Sequence, residues 1–164
     1  MLLREPYFVE NIGRDQPYLS MLLIAPYCTF KCVGCQNKHL GCNQLNNFSK
    51  KELIDIYNDN PFYKGITIAG LEIFDSGEKF LNDVLDFISY EKITKVTIYT
   101  RLSIDDIKVQ NIIKKIKNLN NIKEFYLKIG EFKYQEENEN TVKINNWEIS
   151  LYNKEQNFIK IKGE

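Results

Sequence analysis

The sequence predicts an α/β fold: an open partial β/α barrel with a mainly parallel sheet, and C-terminal strands extending or covering it. Three observations carry that expectation. Between residues 18 and 129, short apolar runs of strand type alternate with longer runs of helical period, and such alternation requires crossovers that join parallel strands. Four such strands are too few to close an eight-stranded barrel. Beyond residue 140 the chain returns to strand material with no helical period. With 164 residues, 43% of them hydrophobic, there is enough chain for one core, so residues 1–164 are read as a single domain.

The elements follow in order. Tyr7, Phe8, Val9 and Ile12, closed by Gly13, predict a short edge strand or ordered arm over residues 7–13. The run from Tyr18 to Ile24 is short, nearly all apolar and stopped by Pro26, the pattern of a buried strand. Residues 38–48 hold Gly41, Cys42, Asn43, Asn46 and Asn47, turn-forming chemistry that suits a connection. Ser49 with Glu52 three positions on is a capping box, and Leu53, Ile56 and Tyr57 share a face of the helix that Asn60-Pro61 ends. Gly65 to Ala69 is the next strand. Phe80, Leu81, Val84, Leu85 and Ile88 recur at helical spacing and predict a helix over residues 77–90 that packs on the sheet. Lys95 to Thr100 and Glu124 to Ile129 are the remaining strands of the alternation. Between them Ser103 with Asp106 is expected to open a helix, with Ile107, Ile112, Ile116 and Leu119 inward and Lys108, Lys114, Lys115 and Lys117 in water. Residues 135–140 are acidic and polar, a predicted exposed loop. Val142 to Ile144, Trp147 to Tyr152 and Phe158 to Ile161 read as strands parted by Asn-rich turns.

Charge and composition narrow the function. Lys plus Arg and Asp plus Glu number 22 each, so the net charge is zero and no general attraction to nucleic acid or to an anionic membrane is expected. No stretch approaches the ~20 apolar residues of a membrane span, and a soluble, cytoplasmic protein is expected. The stretch Ala25 to Asn37, APYCTFKCVGCQN, crowds Cys28, Cys32 and Cys35 into a loop leaving the end of a buried strand. Three cysteines this close are a poor disulfide framework and a good metal framework. The spacing suits an iron–sulfur cube with one iron left open to a cofactor or substrate. Zinc is the competing metal, with Cys42 or His39 as a fourth ligand, but the paired knuckles usual for zinc are missing. Cys42 and His39 are therefore read as ordinary residues. At the next strand end, Gly70 permits close backbone approach to a ligand.

The CxxxCxxC motif after the first strand of the alternation resembles that of the radical S-adenosylmethionine enzymes. Gly34-Cys35-Gln36-Asn37 resembles the GC-x-N ending found in activases of glycyl-radical enzymes. Ile66 to Glu72, Val96 to Thr100 and Tyr126 to Phe132 fall where the activating proteins of anaerobic ribonucleotide reductase would have corresponding stretches. The likeness covers roughly residues 5–160, with the cysteine motif the specific part. It implies a single radical S-adenosylmethionine domain with a 4Fe–4S cluster on Cys28, Cys32 and Cys35. It also implies that S-adenosylmethionine is bound by Gly34, Cys35, Gln36, Gly70, Glu72 and Thr100, and that no catalytic residue is needed beyond the cluster ligands. Ala69 and Ile73 depart from the family's GGEP-type motif, and Arg101 stands where the likeness suggests glycine. The implied partners are the large catalytic subunit of anaerobic ribonucleotide reductase and an electron donor such as flavodoxin or ferredoxin. Two other classes stand beside this reading: a small radical enzyme acting on a metabolite, similar to 7-carboxy-7-deazaguanine synthase, and a non-enzymatic zinc or iron–sulfur module.

Overall fold

The computed structural model describes residues 1–11, 16–131, 140–144, 147–151 and 155–163. Its strands are β1 (Leu2–Arg4), β2 (Phe8–Asn11), β3 (Ser20–Ile24), β4 (Leu45–Asn47), β5 (Gly65–Ala69), β6 (Lys95–Thr100), β7 (Glu124–Ile129), β8 (Asn140–Ile144), β9 (Trp147–Leu151) and β10 (Asn157–Lys162). Its helices are α1 (Lys50–Asp59), α2 (Gly77–Ile88) and α3 (Ile107–Lys117), with short 3-10 turns at Lys38–Cys42 and Ile73–Ser76.

Six strands form one sheet in the order β10-β7-β6-β5-β3-β2. β3, β5, β6 and β7 are mutually parallel, whereas β2 and β10 pair antiparallel at the two edges. The fold is α/β as expected, but two expectations are corrected. The sheet is mixed rather than mainly parallel, and it ends in two edges with no barrel shown. A single apolar edge strand can add in either direction, and the path of the connecting chain decides which.

Strand alternation divides the two faces of the sheet. Met21, Leu23, Ile66, Ile68, Val96, Ile98, Phe125 and Leu127 meet Leu53 and Tyr57 of α1, Phe80, Val84, Phe87 and Ile88 of α2, and Val109, Ile112, Ile113 and Ile116 of α3 in one core. All three helices thus cover the same face, as successive crossovers of one hand in one direction require. On the opposite face Tyr18, Tyr126 and Phe158 pack with Ile149 and Leu151 of the β8–β9 hairpin. There Tyr18 and Thr97 hydroxyls lie 2.7 Å apart, as do those of Ser20 and Thr67. The hairpin therefore covers the half of this face nearer the strands' N-terminal ends, and β10 extends the sheet.

Three local details differ from the expectation. Residues 38–48 are not only a connection: they hold the 3-10 turn and β4, which pairs antiparallel with β1. Helix α3 is capped by Asp106, whose carboxylate accepts from the Lys108 N–H at 2.8 Å, and Ile107 is 70% exposed rather than inward. Leu119 lies past its end yet packs on the core as expected. The capping box of α1 is present as read, with Glu52 accepting from the Ser49 N–H and Ser49 from the Glu52 N–H. The edge strand expected over residues 7–13 is β2, with residues 12 and 13 outside the described ones, as are residues 135–139 of the expected acidic loop. Among the described residues no helix is long and apolar enough to cross a membrane.

Candidate functional site

The C-terminal ends of β3, β5, β6 and β7 open onto a cleft of about 680 Å³, the position where parallel strands of an α/β sheet present ligands. Leu22, Ile24, Ala69, Tyr99 and Lys128 form its floor on the helix-free face. Its walls are the loop after β3, with Cys28, Cys32, Cys35 and Gln36, the turn after β5, with Gly70 and Glu72, and the end of β6, with Thr100 and Arg101. Seven of the eight residues expected at the site therefore line one cavity.

Gly34 is the one that does not. The Cys35 N–H reaches the Cys32 carbonyl at 3.3 Å across Val33 and Gly34, and Gly34 has φ +71°. Positive φ at the third position of a hydrogen-bonded turn is a glycine position, so Gly34 shapes the loop. Gly70 both forms a turn and lines the cleft. Its φ is +83°, the Leu71 N–H donates back to the Ala69 carbonyl at 3.1 Å, and a Cβ there would stand 2.9 Å from Ile24 Cγ2. This three-residue turn packs close against Ile24 at the edge of the cleft, a spacing only glycine permits.

Glu72, expected among the cofactor contacts, lines the cleft and is hydrogen-bonded to the protein itself. It is 5% exposed. Its Oε1 accepts from the Thr100 hydroxyl at 2.7 Å and the Phe74 N–H at 3.3 Å, and its Oε2 accepts from the Arg101 N–H at 2.9 Å. Burial pushes the Glu72 carboxyl up from its ordinary range, while these donors pull it back. The carboxylate ties the end of β5 to the end of β6, and Thr100 and Arg101 are placed by it. The Arg101 guanidinium lies over the Phe30 ring, 2.8 Å from its centroid, which closes the cysteine loop against this wall.

All three cysteines of the loop are free thiols, Cys28 exposed and Cys32 and Cys35 half-buried. Burial pushes the Cys28 thiol up, opposed by hydrogen bonds from the Phe30 and Glu72 backbones, and burial followed by the neighbouring Cys35 raises Cys32. The donor set suits an iron–sulfur cluster: soft sulfur ligands, reachable from the cleft and not consumed in disulfides. Among the described residues no three His, Cys, Asp or Glu side chains are already gathered closely enough to hold a metal ion, so the cysteines share a wall without forming a ready cage. Cys42 and His39 lie on the 3-10 turn, exposed and outside the cleft lining.

Sequence reading missed three groups here. Arg4, 9% exposed, donates from Nε (3.0 Å) and Nη2 (2.7 Å) to the Pro26 carbonyl and from Nη1 to the Asn43 carbonyl, tying the start of the cysteine loop to the residue after the 3-10 turn. Lys128, 5% exposed, holds its ammonium 4.9 Å from the Tyr99 ring centroid on the cleft floor. Its signal was available: a lysine amid Phe125, Tyr126, Leu127 and Ile129 is costly unless its head meets a partner or a cavity. Asp75, the third, captures the backbone of the cysteine loop. Comparison with protein-family models, with curated proteins and with solved structures returns no match for this chain.

Proposed function

We propose that the chain is a radical S-adenosylmethionine activase acting on the large catalytic subunit of anaerobic ribonucleotide reductase. The observation that carries the reading is the meeting of a CxxxCxxC loop with a bare glycine turn in one cleft at the ends of parallel strands. Cys28, Cys32 and Cys35 hold a 4Fe–4S cluster by their thiolates in this reading. Bound there, the cluster would supply a low-potential electron and one iron without a protein ligand. The reaction is one-electron cleavage of S-adenosylmethionine to methionine and a 5′-deoxyadenosyl radical, with a backbone glycine of the reductase giving up the hydrogen atom.

The chain's own residues bind, orient and exclude water. Gly70 brings backbone without a side chain of its own to the cleft, and Glu72 ties the Thr100 to Arg101 segment beside it. Leu22, Ile24 and Ala69 give the floor an apolar surface against which a reactive fragment is kept from water. A cleft of this volume is of the size that buries one small cofactor, on the order of 300–1,000 Å³, and a protein substrate would then complete the site from outside. A reducing, cytoplasmic compartment and a flavodoxin or ferredoxin donor belong to the same proposal.

The test mixes reduced protein, S-adenosylmethionine and the reductase subunit without oxygen. A glycyl-radical doublet in the electron paramagnetic resonance spectrum, lost in Cys32→Ala, is the expected result. Cofactor cleavage without a radical on the reductase, together with turnover of a free small metabolite, would reassign the substrate.

A further inference from the structure

The turn Ile73–Ser76 reaches both walls of the cleft. Through Glu72, its N-cap, it holds Thr100 and Arg101. On the other side Asp75 Oδ2 accepts twice from Thr29, from the backbone N–H at 2.7 Å and from the hydroxyl at 2.9 Å, and Ser76 Oγ accepts from the Tyr27 N–H at 3.4 Å. Ser76 in turn donates its hydroxyl proton to the Glu72 carbonyl at 3.1 Å. Thr29 directly follows Cys28, and 46 positions separate it from Asp75. The contact is therefore a tie between the cysteine loop and the scaffold, not a local turn. Asp75 itself does not line the cleft, which leaves positioning as the role open to it.

Resting on the reading of this loop as a cluster site, we propose that Asp75 is a positioning residue: by capturing Thr29 it fixes Cys28 against the end of β5 and sets the course of the loop carrying Cys32 and Cys35. The loop's own backbone bonds, Cys35 N–H to Cys32 and Lys38 N–H to Cys35, both 3.3 Å, order only its second half. Its first half is held from outside, by Arg4 at Pro26 and by Asp75 and Ser76 at Tyr27 and Thr29. A carboxylate accepting from both the N–H and O–H of one residue is a charge-assisted pair of bonds. Removing it takes away the tie on the C-terminal side of Cys28 and leaves the Arg4 and Ser76 bonds on the other side, so more of the loop's ordering falls to metal binding, at a cost in affinity.

Wild-type, Asp75→Ala, Asp75→Asn and Thr29→Val chains are to be compared after their circular dichroism and melting curves establish folding. Amide hydrogen exchange over residues 27–31 is measured on the metal-free chains, and iron loss to an external chelator is measured after anaerobic loading with iron and sulfide. Asp75→Ala is expected to lose iron about tenfold faster, the lower end of what groups standing behind metal ligands contribute, and to exchange faster over residues 27–31. Asp75→Asn keeps an acceptor oxygen and is expected to recover most of the retention. Equal iron loss from loaded wild-type and Asp75→Ala chains overturns the positioning role and leaves the cluster reading standing. A wild-type chain that takes up no cluster overturns both, because Asp75 then has no metal ligand to position. Should Asp75→Ala fail to fold, Thr29→Val, which removes one hydroxyl, decides the role by the same comparison.

Discussion

Glu72 concentrates the site's energetics in one side chain. A carboxylate with three donors on two elements is costly to replace, because each donor left facing an amide N–H₂ loses its partner in a buried place. Glu72→Gln keeps the shape but turns one oxygen into a donor facing either the Arg101 N–H or the pair from Thr100 and Phe74. It is expected to lower unfolding free energy by about 1–3 kcal/mol, read from the midpoint of urea denaturation with unchanged slope. Such a result separates a tie from a free ligand group, since a carboxylate serving only a cofactor would leave the apo chain's stability unchanged. The position was legible in the sequence, as an acid just after a strand-end glycine. Its role was not, because Thr100 and Arg101 come 28 and 29 residues later and only the parallel pairing of β5 with β6 brings them beside it.

At the scale of elements, what repeats with a period was readable and what does not repeat was hidden. The apolar runs of β3, β5, β6 and β7 and the stripes of α1 and α2 carry the 2.0 and 3.6 periodicities in their own residues. β1 and β4 have three residues each, too few for alternation, and they meet only through a pairing across more than forty residues of chain. The start of α3 was misplaced because Ser103 and Asp106 fit the capping-box spacing, while Asp106 alone supplies the cap.

The β6–β7 ladder offers a pH-dependent check. Lys95 and Glu124 are register partners with Nζ to Oε1 at 2.6 Å. Burial would raise the Glu124 carboxyl, yet the bonds from Lys95 and from the Tyr126 hydroxyl outweigh it and hold it below its usual range. A depressed folded-state value means the pair contributes stability above the unfolded carboxyl's value of about 4.3, and the contribution fades as pH falls through the folded value. Lys95→Met is therefore expected to cost about 0.5–1 kcal/mol at pH 7 for this partly exposed pair, with the difference from wild type shrinking in melts run at progressively lower pH below 4.

For the whole molecule, the sheet's direction at its edges was beyond the sequence, since the residues of β2 and β10 fit either orientation. The C-terminal strands divide their work: β10 widens the sheet while β8 and β9 cover the lower half of the helix-free face. The upper half is left to the cleft, whose cysteine loop, glycine turn and β6 end come together only through the strand order β6-β5-β3. In the proposed function Cys28, Cys32 and Cys35, and not Cys42, hold an iron–sulfur cluster in that cleft. Iron, zinc and acid-labile sulfide are to be counted after anaerobic reconstitution of wild type, Cys28→Ala, Cys32→Ala, Cys35→Ala and Cys42→Ala. About four irons and four sulfides per chain in wild type and Cys42→Ala, with their loss in the other three, is the expected result; stoichiometric zinc that disappears with Cys42 but survives the loss of Cys28 would contradict it.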